Sequence, residues 1–151
     1  MPSDLWLADT NILIRWLQPE DREFPAVVHA VDTLLDKGVT LCYTMQNLAE
    51  FWNVMTRPAN RNGYGFSPEE ANARTHSIET RFRLLPDDAN VYFAWRGVLV
   101  EHAVRGVQVH DARLVAAMQT HGVPRILTFN TRDFARYAKI EAIHPSQVSS
   151  A

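Results

Sequence analysis

A chain of 151 residues that is 46% apolar and 21% charged has room for one sizeable core, and its composition is that of a globular protein and not of a disordered one. No apolar stretch is long enough to span a bilayer, no leader-like segment opens the chain, and the lone Cys42 excludes an internal disulfide; the expectation is a cytoplasmic protein in a reducing compartment. The net charge of −2 does not announce a nucleic-acid binder, yet 13 of the 15 basic residues are Arg, the side chain suited to bidentate phosphate contact.

Strand-like and helix-like segments alternate along the sequence. Leu5–Ala8 reads as a buried strand, followed by a short helix over Asn11–Leu17 that stops near Pro19. Pro25 suits the first turn of a second helix, with Val27, Val28, Val31, Leu34 and Leu35 on one face and Gly38 just past its end. Val39–Tyr43 is a second strand, in which Cys42 reads as a small buried hydrophobe. Thr44 can cap the next helix, whose Leu48, Phe51, Trp52 and Met55 form a core stripe.

Pro58, Gly63 and Gly65 make residues 57–66 a loop, and Ser67-Pro68-Glu69-Glu70 reads as a capping box opening another helix. Leu84-Leu85 is a brief strand ended by Pro86. Asp88 caps a helix running to about Arg105, with Val91, Trp95, Val98 and Leu99 inward and Gly106 breaking it. His110-Asp111 begins a helix ending before Gly122, and Arg125–Phe129 is a further strand. Asn130–Tyr137 forms a short helical turn and Lys139–Ile143 an edge strand. This alternation predicts one domain over residues 1–151, with a core at about 5–143, a short tail at 144–151 and a mostly parallel sheet flanked by helices. Ligands of such sheets bind beyond the carboxyl ends of the strands.

Asp9, Glu50, Asp111 and Asp133 fall at or near that edge. Each has an ordinary reading by itself. Asp9 can cap a helix, although Thr10 and Asn11 could do so instead; Glu50 sits on a polar helix face with Gln46, Asn53 and Arg57. Asp111 suits a first turn, and Asp133 can cap or pair with Arg136. Their joint recurrence at one edge is what points to chemistry. Two carboxylates about 5 Å apart repel by roughly 3 kcal/mol at an effective dielectric near 20, so four together call for protonation or a cation. An all-oxygen set suits Mg²⁺ or Mn²⁺ and argues against zinc, and such ions serve phosphoryl transfer.

In this order, Ala8-Asp9-Thr10-Asn11, Asn47-Leu48-Ala49-Glu50-Phe51, His110-Asp111-Ala112-Arg113-Leu114 and the run from Leu127 to Phe134 resemble the PIN-domain nucleases, most closely the VapC-like toxins. The resemblance covers Leu5 to about Ile143. It implies a PIN-like three-layer α/β/α fold and a Mg²⁺-dependent endoribonuclease, Mn²⁺ being an alternative ion. Asp9, Glu50, Asp111 and Asp133 match the family's acidic quartet of catalytic and metal-binding residues, and Thr10, Asn11 and Asn130 its supporting polar positions; Asn130 is the alternative to Asp133 nearest the metal. A homodimer silenced by a cognate antitoxin across the acidic groove is implied as well.

Arg57, which shares the helix face of Glu50, is the first candidate for contact with RNA phosphates, followed by Arg61, Arg113 and Arg132. A haloacid-dehalogenase-type phosphatase would want a second Asp where Asn11 stands. A housekeeping RNA-processing nuclease of the same fold shares all the chemistry, whereas a non-catalytic module would be expected to lose an acid.

Overall fold

The strand order β3-β2-β1-β4-β5, parallel throughout, decides where this molecule can hold a ligand. The computed structural model describes residues 4–149. Its strands are β1 (Leu5–Ala8), β2 (Thr40–Thr44), β3 (Arg83–Leu85), β4 (Arg125–Leu127) and β5 (Glu141–Ile143). The helices are α1 (Thr10–Trp16), α2 (Phe24–Asp36), α3 (Met45–Thr56), α4 (Pro68–Arg81), α5 (Ala89–Glu101) and α6 (Gln108–His121). From β1 the chain winds outward through β2 to β3, then crosses back to lay β4 on the other side of β1. The order therefore reverses between β1 and β4, and the crevice of an open parallel sheet lies at such a reversal.

Alternation along each strand splits the core into two layers. Trp6, Ala8, Leu41, Tyr43 and Leu127 face a cluster with Ile12, Leu13, Val27, Val31, Phe51, Met55 and Ile78, contributed by α1 to α4. Leu7, Cys42 and Ile126 face the opposite layer, where Val98 of α5 and Leu114, Val115 and Met118 of α6 are buried. The result is a three-layer α/β/α architecture. Cys42 is a core residue whose thiol burial pushes up to about 11, which fits a structural role and not a nucleophile's.

Several element ends differ from the sequence-based expectation, each for a visible reason. Helix α1 starts at Thr10 because Asp9 itself is the N-cap, accepting the Thr10 N–H at 2.8 Å; the expectation that Thr10 or Asn11 could relieve Asp9 of capping does not hold. Helix α5 stops at Glu101, short of Arg105, where Ala103 takes a left-handed φ of 49°. Strand β4 ends at Leu127, before Phe129, as Thr128 and Phe129 turn toward Asp9 and Asn11. Helix α6 begins at Gln108, two residues before His110, which places Asp111 in its first turn. The predicted turn at Asn130–Tyr137 is a 3-10 helix of Thr131–Phe134.

The tail is also more integrated than its sequence implies. Pro145–Gln147 forms a 3-10 turn, Val148 is buried in the first core cluster and Lys37 Nζ donates to the Ser149 carbonyl at 2.5 Å. Residues 150–151 of the predicted tail lie outside the described residues. The 57–66 loop folds back on the end of α3, where Tyr64 and Phe66 N–H groups donate to the Val54 and Met55 carbonyls. Among the described residues no helix is long and apolar enough to cross a membrane.

Candidate active site

Asp9 leaves β1 at the point where the sheet order reverses and is only 8% exposed. One carboxylate oxygen accepts the Thr10 N–H, and the other accepts the Thr128 hydroxyl at 2.7 Å from the end of β4. Thr128, fully buried, in turn accepts the Asn130 N–H at 3.0 Å and the Asn11 side-chain amide at 3.4 Å. Asn11 closes the ring by accepting the Phe129 N–H. These bonds favour the carboxylate, but burial outweighs them: the Asp9 carboxyl is pushed up chiefly by desolvation, with Glu50 and Asp133 adding like-charge repulsion.

The second acid comes from α3. Thr44 caps this helix in a reciprocal box with Asn47, each accepting the other's backbone N–H. Asn47 is wholly buried, and its side-chain NH₂ donates to the Thr10 hydroxyl at 3.1 Å. That leaves the Thr10 hydrogen free to donate to Glu50 Oε2 at 2.7 Å. The other Glu50 oxygen accepts Gln46 Nε2 at 3.1 Å, and the same nitrogen donates to the His110 carbonyl at 2.9 Å. Glu50 is thus neither a solvated surface acid nor a free one.

Asp111, in the first turn of α6, is half-buried, and its carboxyl is pushed up to about 6. Desolvation is the largest cause, followed by repulsion from Asp9, Asp133 and Glu50, in that order. All four acids of the sequence reading therefore share one electrostatic environment. They border it unequally. Asp133 is exposed on its 3-10 turn beside a cleft of about 120 Å³, lined by Gln108, Asp111, Arg132, Asp133, Arg136 and Tyr137. The Arg136 partner suggested for Asp133 instead donates to Gln108 and to the His102 carbonyl.

The chemistry of this donor set fits a hard divalent cation: carboxylates, hydroxyls and amide oxygens, with no thiolate. The fit lies in the charge and not in a cage. Among the described residues no three His, Cys, Asp or Glu side chains stand close enough together to hold an ion by themselves. Mg²⁺ tolerates that arrangement, because it keeps several waters and takes one or two carboxylates plus substrate phosphates.

The candidate arginines separate. Arg57 donates to the Asn62 carbonyl, and its Nε is buried without a partner, so its side chain belongs to the 57–66 loop. Arg113 pairs with Asp87. Arg61 ends the exposed 3-10 turn of Ala59–Arg61, and Arg132 is exposed at the acidic cleft. Sequence reasoning did not single out Gln46, Asn47 or Thr128 as site residues. Asn47 had a local signal, three residues after a capping Thr; Thr128 had only its place at a strand end.

A sequence profile of the PIN domain family matches residues 7–140. No curated protein sequence matches the chain significantly. Among solved structures, DNA-bound VapBC from Salmonella typhimurium is similar at TM-score 0.71 and 17% identity, covering 95% of this chain and 99% of that one. VapBC2 from Rickettsia felis, bound to a promoter DNA fragment, is similar at TM-score 0.70 and 14% identity over 93% and 98% of the two chains. VapC20 from Mycobacterium tuberculosis, a sarcin-ricin loop cleaving toxin, is similar at TM-score 0.62 and 18% identity over 88% and 95%.

Proposed function

The chain belongs to the PIN-domain family, and on that premise we propose that it is a divalent-metal-dependent endoribonuclease acting as the toxin of a toxin–antitoxin pair. The observation carrying this reading is Asp9, buried at the strand-order reversal and electrostatically coupled to Glu50 and Asp133, with Asp111 coupled to all three. The similar VapBC complexes and VapC20, a sarcin-ricin loop cleaving toxin, support the toxin assignment and an antitoxin partner. The homodimer implied by the family resemblance is kept as part of the proposal.

Asp9, Glu50 and Asp111 are the residues proposed to hold Mg²⁺ or Mn²⁺, with Asp133 at the rim and Thr10, Asn11 and Asn130 supporting them. When bound, the ion would neutralise phosphate charge and make a water more acidic. The chain's own part is orientation. Thr128 and the Thr10 N–H aim the two Asp9 oxygens, while Thr10 and Gln46 aim those of Glu50. Asp111, pushed up to about 6 by burial and by the neighbouring acids, would give up its proton on taking the ion, so that binding is coupled to proton release. Exposed Arg132, which lines the acidic cleft, is the arginine we propose to meet the RNA backbone.

Incubating RNA with the purified protein in Mg²⁺, in EDTA and with Asp9→Asn tests the reading. Asn keeps the helix cap and removes the charge. Cleavage should require both the ion and Asp9; equal cleavage by wild type in EDTA, or by Asp9→Asn in Mg²⁺, overturns it.

A further inference from the structure

Gln46 is 9% exposed, and its side-chain nitrogen sits between two acceptors, the Glu50 carboxylate at 3.1 Å and the His110 main-chain carbonyl at 2.9 Å. This settles the amide's orientation, since turning it over would set its oxygen against both acceptors. The amide oxygen is buried and has no hydrogen-bond partner. An unsatisfied buried acceptor is costly, so the amide is held this way by what its nitrogen does. His110 immediately precedes Asp111. One side chain therefore ties Glu50 on α3 to the turn of α6 that bears Asp111, across 64 residues of sequence.

We infer that Gln46 is a positioning residue, holding the Glu50 carboxylate at a set distance from the Asp111 turn so that both acids face the same cation. The inference rests on the proposed acidic centre. Glu50 has two anchors, Thr10 on Oε2 and Gln46 on Oε1. With Thr10 alone, its carboxylate can swing about that single bond, away from Asp111. Because no three acids among the described residues form a closed cage, affinity for an ion depends on how well each separate carboxylate is aimed.

The experiment is a double-mutant cycle read as Mn²⁺ affinity by calorimetry in the absence of RNA, using wild type, Gln46→Met, Glu50→Gln and the double variant. Gln46→Met keeps the length and loses the donor. It should weaken Mn²⁺ binding about tenfold, and Glu50→Gln at least as much. The double variant should bind no worse than Glu50→Gln alone, because Gln46 acts through Glu50; a merely structural role would weaken both backgrounds equally. In RNA cleavage, Gln46→Met should lower kcat with little change in KM.

Wild-type affinity in Gln46→Met, or an undiminished loss in the Glu50→Gln background, overturns the positioning role and leaves the acidic centre standing. Wild-type affinity in Glu50→Gln removes Glu50 from the centre and overturns both. Should Gln46→Met fail to fold, Gln46→Asn takes its place in the cycle, since its amide stops one methylene short of Glu50.

Discussion

The Thr128 hydroxyl donates to the Asp9 carboxylate at 2.7 Å, a bond that joins the ends of β4 and β1 across the reversal of strand order. The same two strands meet through their backbones, Asp9 N–H donating to the Leu127 carbonyl at 3.0 Å. The position of the leading acid is consequently a property of the sheet, and a loop adjustment cannot move it alone.

Thr128→Val keeps the shape of this side chain and removes its donor. It should destabilise the metal-free protein by about 1–3 kcal/mol, the cost of stripping a hydrogen bond from a buried polar group. Urea unfolding in EDTA measures it. Thr128→Ser should recover most of the loss, and a Val variant with an unshifted midpoint would show that the bond contributes nothing net.

Stability of the metal-free protein should depend on pH through Asp111. Its folded carboxyl titrates at about 6 against an ordinary 3.8. Between those values the native state holds a proton that the unfolded chain has released, so stability falls as pH rises through the window and levels off above it. Asp9, also raised, acts in the same direction. Unfolding series from pH 4 to 7 should show a gentler fall in Asp111→Asn than in wild type; parallel curves would remove Asp111 as a source.

Binding of a divalent ion should raise the melting temperature of wild type, by an amount set by affinity and concentration. The double variant Asp9→Asn/Asp111→Asn loses two mutually repelling charges. It should be at least as stable without metal and gain little from adding it. A wild-type metal response in that variant would put the ion elsewhere.

RNA binding separates the arginines. In an Asp9→Asn background, Arg132→Ala should weaken binding across sequences and reduce the slope of log affinity against log salt by about 0.7, the single-strand value for one phosphate contact. Arg57→Ala and Arg113→Ala should instead lower the melting temperature, because their guanidinium groups bond the Asn62 carbonyl and Asp87. Affinities at two salt concentrations decide. A slope changed by Arg57→Ala and untouched by Arg132→Ala would reverse the assignment.

Local pattern was enough to read the layers and to place four candidate acids near one edge of the sheet. An apolar run ending in Asp9, a stripe with Phe51 and Met55 at its core, and turn residues such as Gly38 and Gly122 all register within a few positions. Strand β1 occupies the span that its hydrophobicity predicts, and alternation of β and α already implied a parallel sheet. Boundaries set by distant partners were not legible. The end of β4 follows the turn of Thr128 toward Asp9, and Val109, at the start of α6, accepts from Trp95 Nε1 of α5.

The sequence by itself determined which residue types lie at the carboxyl edge of the sheet, because strand and helix periods depend on neighbours a few positions apart. Only the tertiary structure decided how the acids are held. Thr10 reaches Glu50 across 40 residues, Gln46 reaches His110 across 64 and Thr128 reaches Asp9 across 119. It also decided that Asp111 feels the other three acids with no closed cage among the described residues, and that Arg57 bonds the Asn62 carbonyl of its own loop. Such bonds depend on which buried donors and acceptors the completed sheet brings face to face, and no local period of the chain encodes that pairing.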